Sequence, residues 1–440
     1  MKLAKIGDFL KRSKIPLDIE DSKEYNRVTI RINHNGVSLR DRELGKKIGT
    51  KKQFILKEGQ FILSKIDARY GAFGIAPKEV DGAIITGNFW AYNVDKKKVN
   101  IDWFNQFTNS PVFYEVCERA SSGITHRKYL NESFFLNYEI LLPKVDEQLN
   151  QIEIITNYKI NFNKLTFELS HQLDLVKQLR QSFLREAMQG LLIKQDKKDG
   201  HASDLLKKIK ADKAKFGKKE KPLAEIKPEE IPFDIPENWA WCRLGMIATL
   251  ITDGKHGDCN DELNSGYYFL SAKDIQNGKF VYEGARQITY SDFLETHRRT
   301  NLEPGDLCIV NTGATIGKTA FAPNTELTRK TTFQKSVAVV KVVNSYTEMK
   351  FIEYFIINET PRLLKTSRGS AINNLLLGDM KNVLVPFPPL LEQKRIVKKL
   401  DELMKLCDEL QASMQAGKEQ NEMLLQVALR DTLRKKKAAV

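Results

Sequence analysis

The side chains that most often perform catalysis or hold metals lack, in this sequence, the spacing that those chemistries need. The six histidines form no His-x-x-x-His or His-Glu-x-x-His pair, which argues against a zinc site. The glycine-rich residues 313–319 have three residues between their glycines, whereas a phosphate-binding P-loop has four. The sequence contains neither a Gly-x-Ser-x-Gly nucleophile turn nor the Asn-Pro-Pro-aromatic tetrapeptide of amino-methylating DNA methyltransferases. These patterns indicate a binding protein rather than an enzyme.

Charge and composition narrow the class of partner. The 440 residues include 70 Lys and Arg against 56 Asp and Glu, a formal net charge of +14, and such an excess favours an acidic partner, most commonly nucleic acid. A basic protein without any such partner is the alternative. No apolar run is long enough for a signal peptide or a membrane span, and the five cysteines form no Cys-x-x-Cys pair. We expect a cytoplasmic protein with free thiols, no membrane contact and roughly three structural units.

The second half of the chain repeats the pattern of the first half at an offset near 245 residues. Residues 138–143 match residues 381–386, and Glu147-Gln148 matches Glu392-Gln393. Each half begins with short, glycine-bounded, β-branched runs that predict strands and continues with stretches that predict helices. Two mixed α/β globules are therefore expected, at residues 1–145 and 231–388.

A long helix is predicted after each globule, at residues 146–193 and 389–435, because apolar residues recur there at alternating spacings of three and four. The two seams share one register, which favours mutual pairing of the helices over packing of each helix on its own globule. The predicted seam of the first helix consists of Ile155, Tyr158, Phe162, Leu165, Leu169, Gln172, Val176, Leu179 and Phe183. The predicted seam of the second consists of Leu400, Leu403, Cys407, Leu410, Met414, Gly417, Asn421, Leu424 and Ala428.

Residues 194–230 separate the two halves. They hold twelve lysines, eight acids and no arginine, a composition typical of a solvated linker. Contact of these lysines with a phosphate backbone is the less favoured interpretation.

Several stretches resemble the specificity subunits of type I restriction-modification systems. Residues 386–397 (Pro-Phe-Pro-Pro-Leu-Leu-Glu-Gln-Lys-Arg-Ile-Val) and the helix that follows are similar to the conserved-region helix of that family. Residues 235–245 (Ile-Pro-Glu-Asn-Trp-Ala-Trp-Cys-Arg-Leu-Gly) resemble the beginning of its second target-recognition domain, and residues 65–74, 302–306, 313–317 and 368–372 also fit. The resemblance covers essentially the whole chain. Residues 143–148 (Pro-Lys-Val-Asp-Glu-Gln) depart from the Pro-Pro-Leu-Leu-Glu-Gln form seen in the second half.

The resemblance implies an α+β fold with a pseudo-twofold internal repeat, in which two α/β target-recognition domains are joined by two long helices that form an antiparallel coiled coil. It also implies a non-enzymatic subunit that reads a bipartite, asymmetric target in double-stranded DNA. Two modification subunits would bring S-adenosylmethionine, and restriction subunits would bring ATP and Mg. This chain would itself hold no cofactor and no metal.

For such a reader, candidate DNA contacts are polar side chains in loops beside glycines, because base edges and phosphates both need donors that can approach closely. In the first domain the candidates are Lys65, Arg69, Tyr70, Asn88 and Ser122. In the second domain they are Lys255, His256, Asn311, Thr312, Lys318, Lys330, Gln334 and Arg368. For any single residue of these sets, a solvated surface position is an equally good interpretation.

Three other functions stay open on the sequence alone. One is a non-enzymatic coiled-coil adaptor that is basic for unrelated reasons, which would show no salt-dependent affinity for DNA. The second is a specificity subunit that serves a methylation-only complex. The third is a self-sufficient methyltransferase, against which the missing tetrapeptide argues.

Overall fold

The structure, a computed structural model, describes residues 2–122, 128–215, 223–313, 315–366 and 374–433. The chain folds into two compact units. Unit 1 contains Met1–His171 and Met414–Val440, and unit 2 contains Gln172–Ser413.

Unit 1 is built mainly from short strands. The strands are β1 (Lys2–Lys5), β2 (Leu10–Ser13), β3 (Pro16–Asp18), β4 (Glu24–Ile30), β5 (Val37–Leu44), β6 (Lys52–Ile55), β7 (Phe61–Ser64), β8 (Phe73–Ile75), β9 (Ile84–Ile85), β10 (Phe89–Val94), β11 (Ser121–Ser122), β12 (Tyr129–Leu130) and β13 (Glu139–Leu142). The helices are α1 (Ile101–Thr108), α2 (Pro111–Arg119), α3 (Glu132–Asn137) and α4 (Val145–Met188), of which α4 continues into unit 2.

A four-stranded antiparallel sheet in the order β2-β10-β7-β8 forms the centre of unit 1. Its strand β7 is buried along its whole length. The helical region is divided where Ser110 caps α2 and Pro111 occupies its first position, because proline fits the first turn of a helix but not its interior. Phe61, Phe73, Phe104 and Phe113 pack edge to face between the sheet and the helices.

A five-stranded sheet, in the order β3-β6-β9-β4-β5, is inserted into this scaffold. Strands β3 to β6 lie in the chain between β2 and β7, and β9 lies between β8 and β10. Its longest element is the β4–β5 hairpin, which turns at residues 31–36.

The lysine-rich segment between the two halves is not a solvated linker throughout. Its helix α5 (Ala202–Lys215) buries Ala202 and Ile209 in the core of unit 2. The ammonium of Lys213 donates hydrogen bonds to the carbonyls of Gly245 and Ala248 at 2.8 and 2.7 Å. The other lysines of α5 project from the face of the helix that this packing leaves open, which explains the sequence composition.

Unit 2 contains the remaining strands and helices. The strands are β14 (Ala240–Arg243), β15 (Ala248–Asp253), β16 (Tyr268–Leu270), β17 (Ile275–Gln276), β18 (Lys279–Phe280), β19 (Leu307–Val310), β20 (Thr319–Phe321), β21 (Thr331–Phe333), β22 (Val337–Val342) and β23 (Leu384–Phe387). The helices are α6 (Leu244–Ile247), α7 (Tyr290–Thr300), α8 (Met349–Thr366), α9 (Leu377–Asn382) and α10 (Leu390–Leu433), of which α10 continues into unit 1.

The scaffold of unit 2 repeats that of unit 1. Its central sheet has the order β15-β22-β19-β20, which matches β2-β10-β7-β8 strand for strand, and β14 pairs with β23 as β1 pairs with β13. The inserted parts differ, because unit 2 has α7 and the parallel pair β16–β21 where unit 1 has the five-stranded sheet. The predicted α+β fold with an internal repeat is confirmed.

One glutamine in each unit fastens the long helix to the globule. The Gln148 side chain accepts a hydrogen bond from the Asn100 N–H at 2.7 Å and donates one to the Pro143 carbonyl at 2.9 Å. The Gln393 side chain accepts from the Glu348 N–H and donates to the Pro388 carbonyl, both at 2.8 Å. Both glutamines are fully buried, which gives the repeated Glu-Gln pair of the sequence a structural role.

The two long helices pack antiparallel within each unit, as predicted. In unit 1 the Gln151 amide donates to the Thr432 carbonyl, and the Asn421 amide donates to Thr166 Oγ1 at 3.1 Å. In unit 2 the Arg180 guanidinium donates to Asp408 Oδ1 at 2.6 Å. The numbers of the contacting residues decrease along α10 as they increase along α4, as they must in an antiparallel pair.

Three of the nine predicted seam positions on α4 are wrong. Ile155, Phe162, Leu169, Val176 and Phe183 are buried or half-buried, but Tyr158, Leu165 and Leu179 are 43, 45 and 38% exposed. The positions one residue later, Lys159, Thr166 and Arg180, face inward instead, because each finds a polar partner on a neighbouring helix. Gln172 is half-buried, and so is its neighbour Leu173.

The seam on α10 follows the prediction more closely. Leu400, Cys407 and Asn421 are buried, and Leu403, Leu410, Met414, Gly417 and Ala428 are half-buried. Leu424 is the exception among the described residues, because it is 59% exposed and Leu425 is half-buried in its place. The inward step after Asn421 is four residues rather than three.

Candidate nucleic-acid interface

The loops at one end of the central sheet of unit 1 gather the residues that the sequence analysis selected. Strand pairing places Ser64 opposite Phe89 and Leu63 opposite Phe73, so the segments just after β7, just before β8 and just before β10 meet there. Lys65 follows β7, Arg69 and Tyr70 lie in the turn to β8, and Asn88 precedes β10. We call this region the first sheet-end surface.

Backbone hydrogen bonds join the loops of the first sheet-end surface. The Lys65 N–H donates to the Asn88 carbonyl at 2.9 Å, and the Leu130 N–H donates to the Lys65 carbonyl at 2.8 Å. The second bond draws in the β11–β12 hairpin, where Ser122 pairs with Tyr129. All five predicted residues of the first domain are thereby brought together.

Aromatic rings hold the cations of the first sheet-end surface. Lys65 Nζ lies 5.5 Å from the centre of the Tyr129 ring, and Arg69 Cζ lies 4.5 Å from the centre of the Tyr70 ring. Such contacts keep a cation oriented without neutralising its charge. Tyr70 is half exposed, so its ring is available to a partner.

Unit 2 has an equivalent region, the second sheet-end surface. The Asn311 N–H donates to the Ser336 carbonyl at 3.0 Å, and the Leu375 N–H donates to the Asn311 carbonyl at 2.7 Å. Asn311 therefore occupies the position that Lys65 has in unit 1. Lys255 forms a backbone bridge with Gln334, and Thr312 forms one with Asn374. The residues of this surface are Lys255, His256, Asn311, Thr312, Lys318 and Gln334.

One predicted residue of the second domain, Lys330, falls elsewhere. Lys330 precedes β21 whereas Gln334 follows it, so the strand separates Lys330 from the second sheet-end surface, and Lys330 instead pairs with Glu326 at 2.7 Å. Strand placement, which loop composition does not reveal, decides this difference. Arg368 lies outside the described residues.

Acidic partners already engage two side chains of the second sheet-end surface. Lys255 lies 3.3 Å from Asp292 and 3.2 Å from Glu295. Burial alone would lower the pKa of Lys255, but the hydrogen bonds to Glu295 and Asp292 outweigh burial and leave that pKa raised. His256 Nε2 lies 2.8 Å from Asp253 Oδ2. Lys318, by contrast, is exposed, and its side chain has no hydrogen bond or ion pair to the described residues.

Sequence reasoning missed the tip of the β4–β5 hairpin, which also reaches the first sheet-end surface. The Asn33 N–H donates to the Tyr70 carbonyl at 2.7 Å, and the His34 N–H donates to the Gly71 carbonyl at 3.0 Å. The sequence Asn-His-Asn-Gly at 33–36 is a turn pattern, and that pattern could have drawn attention to the hairpin but not to its destination.

The outer faces of the long helices carry apolar side chains without cover. In unit 1 these include Phe167, Met423 and Leu424, which are 74, 68 and 59% exposed. In unit 2, Leu175, Leu391 and Leu406 are about half exposed. Together with Tyr158, Leu165 and Leu179 they form what we call the apolar helix faces. Large exposed apolar patches on proteins are often contact sites for a partner.

Two classes of feature are missing from the described part of the chain. It contains no group of three or more His, Cys, Asp or Glu side chains that could hold a metal ion. None of its helices combines the length and the apolar character that crossing a membrane requires.

Comparison with known proteins identifies relatives. A family model described as the type I restriction modification DNA specificity domain matches residues 236–416. The specificity subunit of the type I restriction enzyme EcoAI from Escherichia coli is 31% identical over 311 residues, which are 67% of this chain and 50% of that protein. The EcoEI specificity subunit from the same species is 28% identical over 275 residues, 58% of this chain and 43% of that protein. The chain thus spans about half the length of these curated relatives.

Two solved structures share the fold. The HsdS subunit from Thermoanaerobacter tengcongensis aligns with a TM-score of 0.56 and 16% identity, over 99% of this chain and 96% of that chain. A chain from a study of complex assembly and conformational transition of the type I R-M system aligns with a TM-score of 0.58 and 17% identity, over 99% and 97%. Both alignments extend over the two units and both long helices.

Proposed function

We infer that this chain belongs to the specificity subunits of type I restriction-modification systems. From that premise we propose that each of its units reads one half of a bipartite, asymmetric target in double-stranded DNA. One observation carries the proposal. The same scaffold occurs twice, and it presents equivalent backbone positions, Lys65 and Asn311, at the same end of the same sheet. Two readers on one chain require a target in two parts.

The asymmetry of the target follows from the different side chains at the sheet-end surface of each unit. The first sheet-end surface offers cations that rest on aromatic rings, Lys65 on Tyr129 and Arg69 on Tyr70. The second offers the Gln334 amide, the Thr312 hydroxyl and Lys318, while the Asn311 side chain is buried and Lys255 and His256 contact acids. Because Arg and Lys favour guanine and Asn and Gln favour adenine, different sets of donors select different half-sites.

The chain supplies recognition and no reacting group. Its curated relatives are specificity subunits, in agreement with the predicted non-enzymatic role. We propose that modification subunits dock on the apolar helix faces and contribute S-adenosylmethionine, and that restriction subunits contribute ATP and Mg. The net charge of +14 would draw DNA to the assembly in a salt-dependent manner.

Selection from a random pool of DNA duplexes tests this proposal. The full chain, assembled with its modification subunit, should enrich one split motif. Changing Lys65 and Asn88 to alanine should relax one half of that motif, and changing Asn311 and Lys318 should relax the other half. Lys330→Ala is the matched control, because Lys330 lies outside the second sheet-end surface.

Two results would refute the proposal. Enrichment of no motif, together with affinity that does not change with salt, would favour a coiled-coil adaptor instead. Relaxation of the same half-site by both pairs of substitutions would show that the two units do not read separately.

A further inference from the structure

We propose that the tip of the β4–β5 hairpin, residues 31–36, inserts into a groove of the DNA and reads bases for unit 1. This inference rests on the proposed function and names the element that would read the half-site in unit 1. The tip is defined by Arg31, Ile32, Asn33, His34, Asn35 and Gly36.

The hairpin belongs to the part of the chain that is not repeated. Between the equivalent strands β2 and β7, unit 1 carries the five-stranded sheet, whereas unit 2 carries α7 and short strands between β15 and β19. A repeated scaffold can position two readers, but different half-sites must be distinguished by structure that differs. The β4–β5 hairpin is the longest strand pair of the unit 1 insert.

The tip is fixed to the first sheet-end surface rather than projecting at random. Besides the two backbone hydrogen bonds to Tyr70 and Gly71, the His34 ring lies edge-on to Phe73 at 5.6 Å, and His34 Nε2 lies 2.9 Å from Thr108 Oγ1. A Cβ on Gly71 would come within 2.9 Å of the His34 nitrogen, so only glycine permits this approach. The half-buried His34 is therefore the anchor of the tip and not a reader.

The neighbours of His34 present groups suited to base edges. Arg31, Ile32, Asn33 and Asn35 are exposed. In the described residues, the side chains of Arg31 and Asn33 have no hydrogen bond or ion pair. The Asn35 amide donates to the Ile32 carbonyl at 3.0 Å, which leaves its oxygen as an acceptor. Arg, Asn and an apolar side chain match guanine, adenine and the thymine methyl group respectively, and two-stranded ribbons fit DNA grooves.

The charges along the hairpin single out its tip. On the strands, Arg27 pairs with Asp41 at 2.6 Å, Arg40 pairs with the same carboxylate at 3.2 Å, and Arg42 pairs with Glu24 at 3.0 Å. Arg31 has no such partner among the described residues. A guanidinium without an internal acid keeps all its donors for a ligand.

Competition binding with the assembled complex tests the inference. The probes are duplexes that carry the selected motif with each base pair replaced in turn. We expect Arg31→Ala to reduce the preference at one base pair roughly 10- to 100-fold. The affected half-site should be the one that Asn311→Ala leaves unchanged. Arg31→Lys keeps the charge but loses the paired donors, so it should show the same relaxation.

Arg42→Ala serves as the control on the same hairpin, and it should leave every preference unchanged. A uniform loss of affinity for all duplexes on Arg31→Ala, restored by Arg31→Lys, would identify a phosphate contact and overturn base reading. Unchanged preference in both Arg31 variants, with a split motif still selected by the wild type, would overturn this inference and leave the proposed function intact. A wild type without any split motif would overturn both.

Discussion

Replacement of Gln393 by alanine tests how the long helix is fastened to the globule. The Gln393 side chain is fully buried and makes two hydrogen bonds, from the Glu348 N–H and to the Pro388 carbonyl. Alanine leaves both backbone groups without a partner, and each buried, unsatisfied group costs about 1–3 kcal/mol. Because water can reach the half-buried Glu348, we expect the free energy of unfolding of unit 2 to fall by about 2–4 kcal/mol.

Urea unfolding followed by circular dichroism measures this change. Hydrogen exchange in α8 and in residues 390–413 of α10 assigns it to unit 2. Gln178→Ala is the matched control, since Gln178 is exposed on α4 in the same unit and should change stability by less than about 0.5 kcal/mol. Gln148→Ala should reproduce the effect in unit 1. If Gln393→Ala destabilised the protein no more than Gln178→Ala, the fastening role of the repeated glutamine would be refuted.

Three further predictions concern the helix pair and the hairpin. Asn421→Leu should raise the free energy of unfolding by about 1–2 kcal/mol, because an apolar side chain replaces an amide in the seam. A decrease of that size, measured by urea unfolding, would show that the hydrogen bond to Thr166 stabilises the pair more than apolar burial does. Burial, and secondarily the nearby Lys159 ammonium, hold the pKa of His34 below its ordinary value of 6.5. The unfolded chain then binds the proton more tightly, so stability should fall as pH drops from 7 through 6.5 and below. His34→Asn, which tolerates the left-handed backbone at this residue, should reduce that dependence in parallel melts, and an unchanged pH dependence would contradict the assignment. Inserting Ala-Ala-Leu-Glu after Gln172, with a matched four-residue insertion in α10, lengthens the helices by roughly 6 Å. The run of unspecified base pairs in the selected motif should then grow by one or two. A changed half-site with an unchanged run of unspecified base pairs would contradict this prediction.

The sequence predicted the long helices well and most, but not all, of the residues on their inward faces. A 3.5-residue period identifies a paired helix. On α4, however, either of two neighbouring residues could occupy every second inward position, as Leu165 and Thr166 show. Apolar Leu165 is the better choice on hydrophobicity, yet Thr166 faces inward because Asn421 supplies a hydrogen bond. In the same way Arg180 faces inward in place of Leu179, because its guanidinium donates a hydrogen bond to Asp408. Polar pairs across helices depend on the partner sequence, which periodicity within one helix cannot reveal.

The candidate surfaces were predictable in composition but not in geometry. Polar residues beside glycines identified the loops of both units, and strand pairing explains why those loops meet. Lys330 fits the same composition rule but lies at the wrong end of β21. The hairpin tip escaped prediction because its backbone bonds to Tyr70 and Gly71 join residues far apart in the sequence. Long-range pairing of this kind follows from the folded sheet and not from local pattern.

The methylation pattern of a host genome tests the central claim most directly. The full chain is co-expressed with its modification subunit, and modified adenines are mapped by single-molecule sequencing. Two different readers on one chain predict a single asymmetric motif, split by a fixed run of unspecified bases and methylated on both strands. A continuous motif, a symmetric one, or the absence of any motif from an assembled complex would contradict the account.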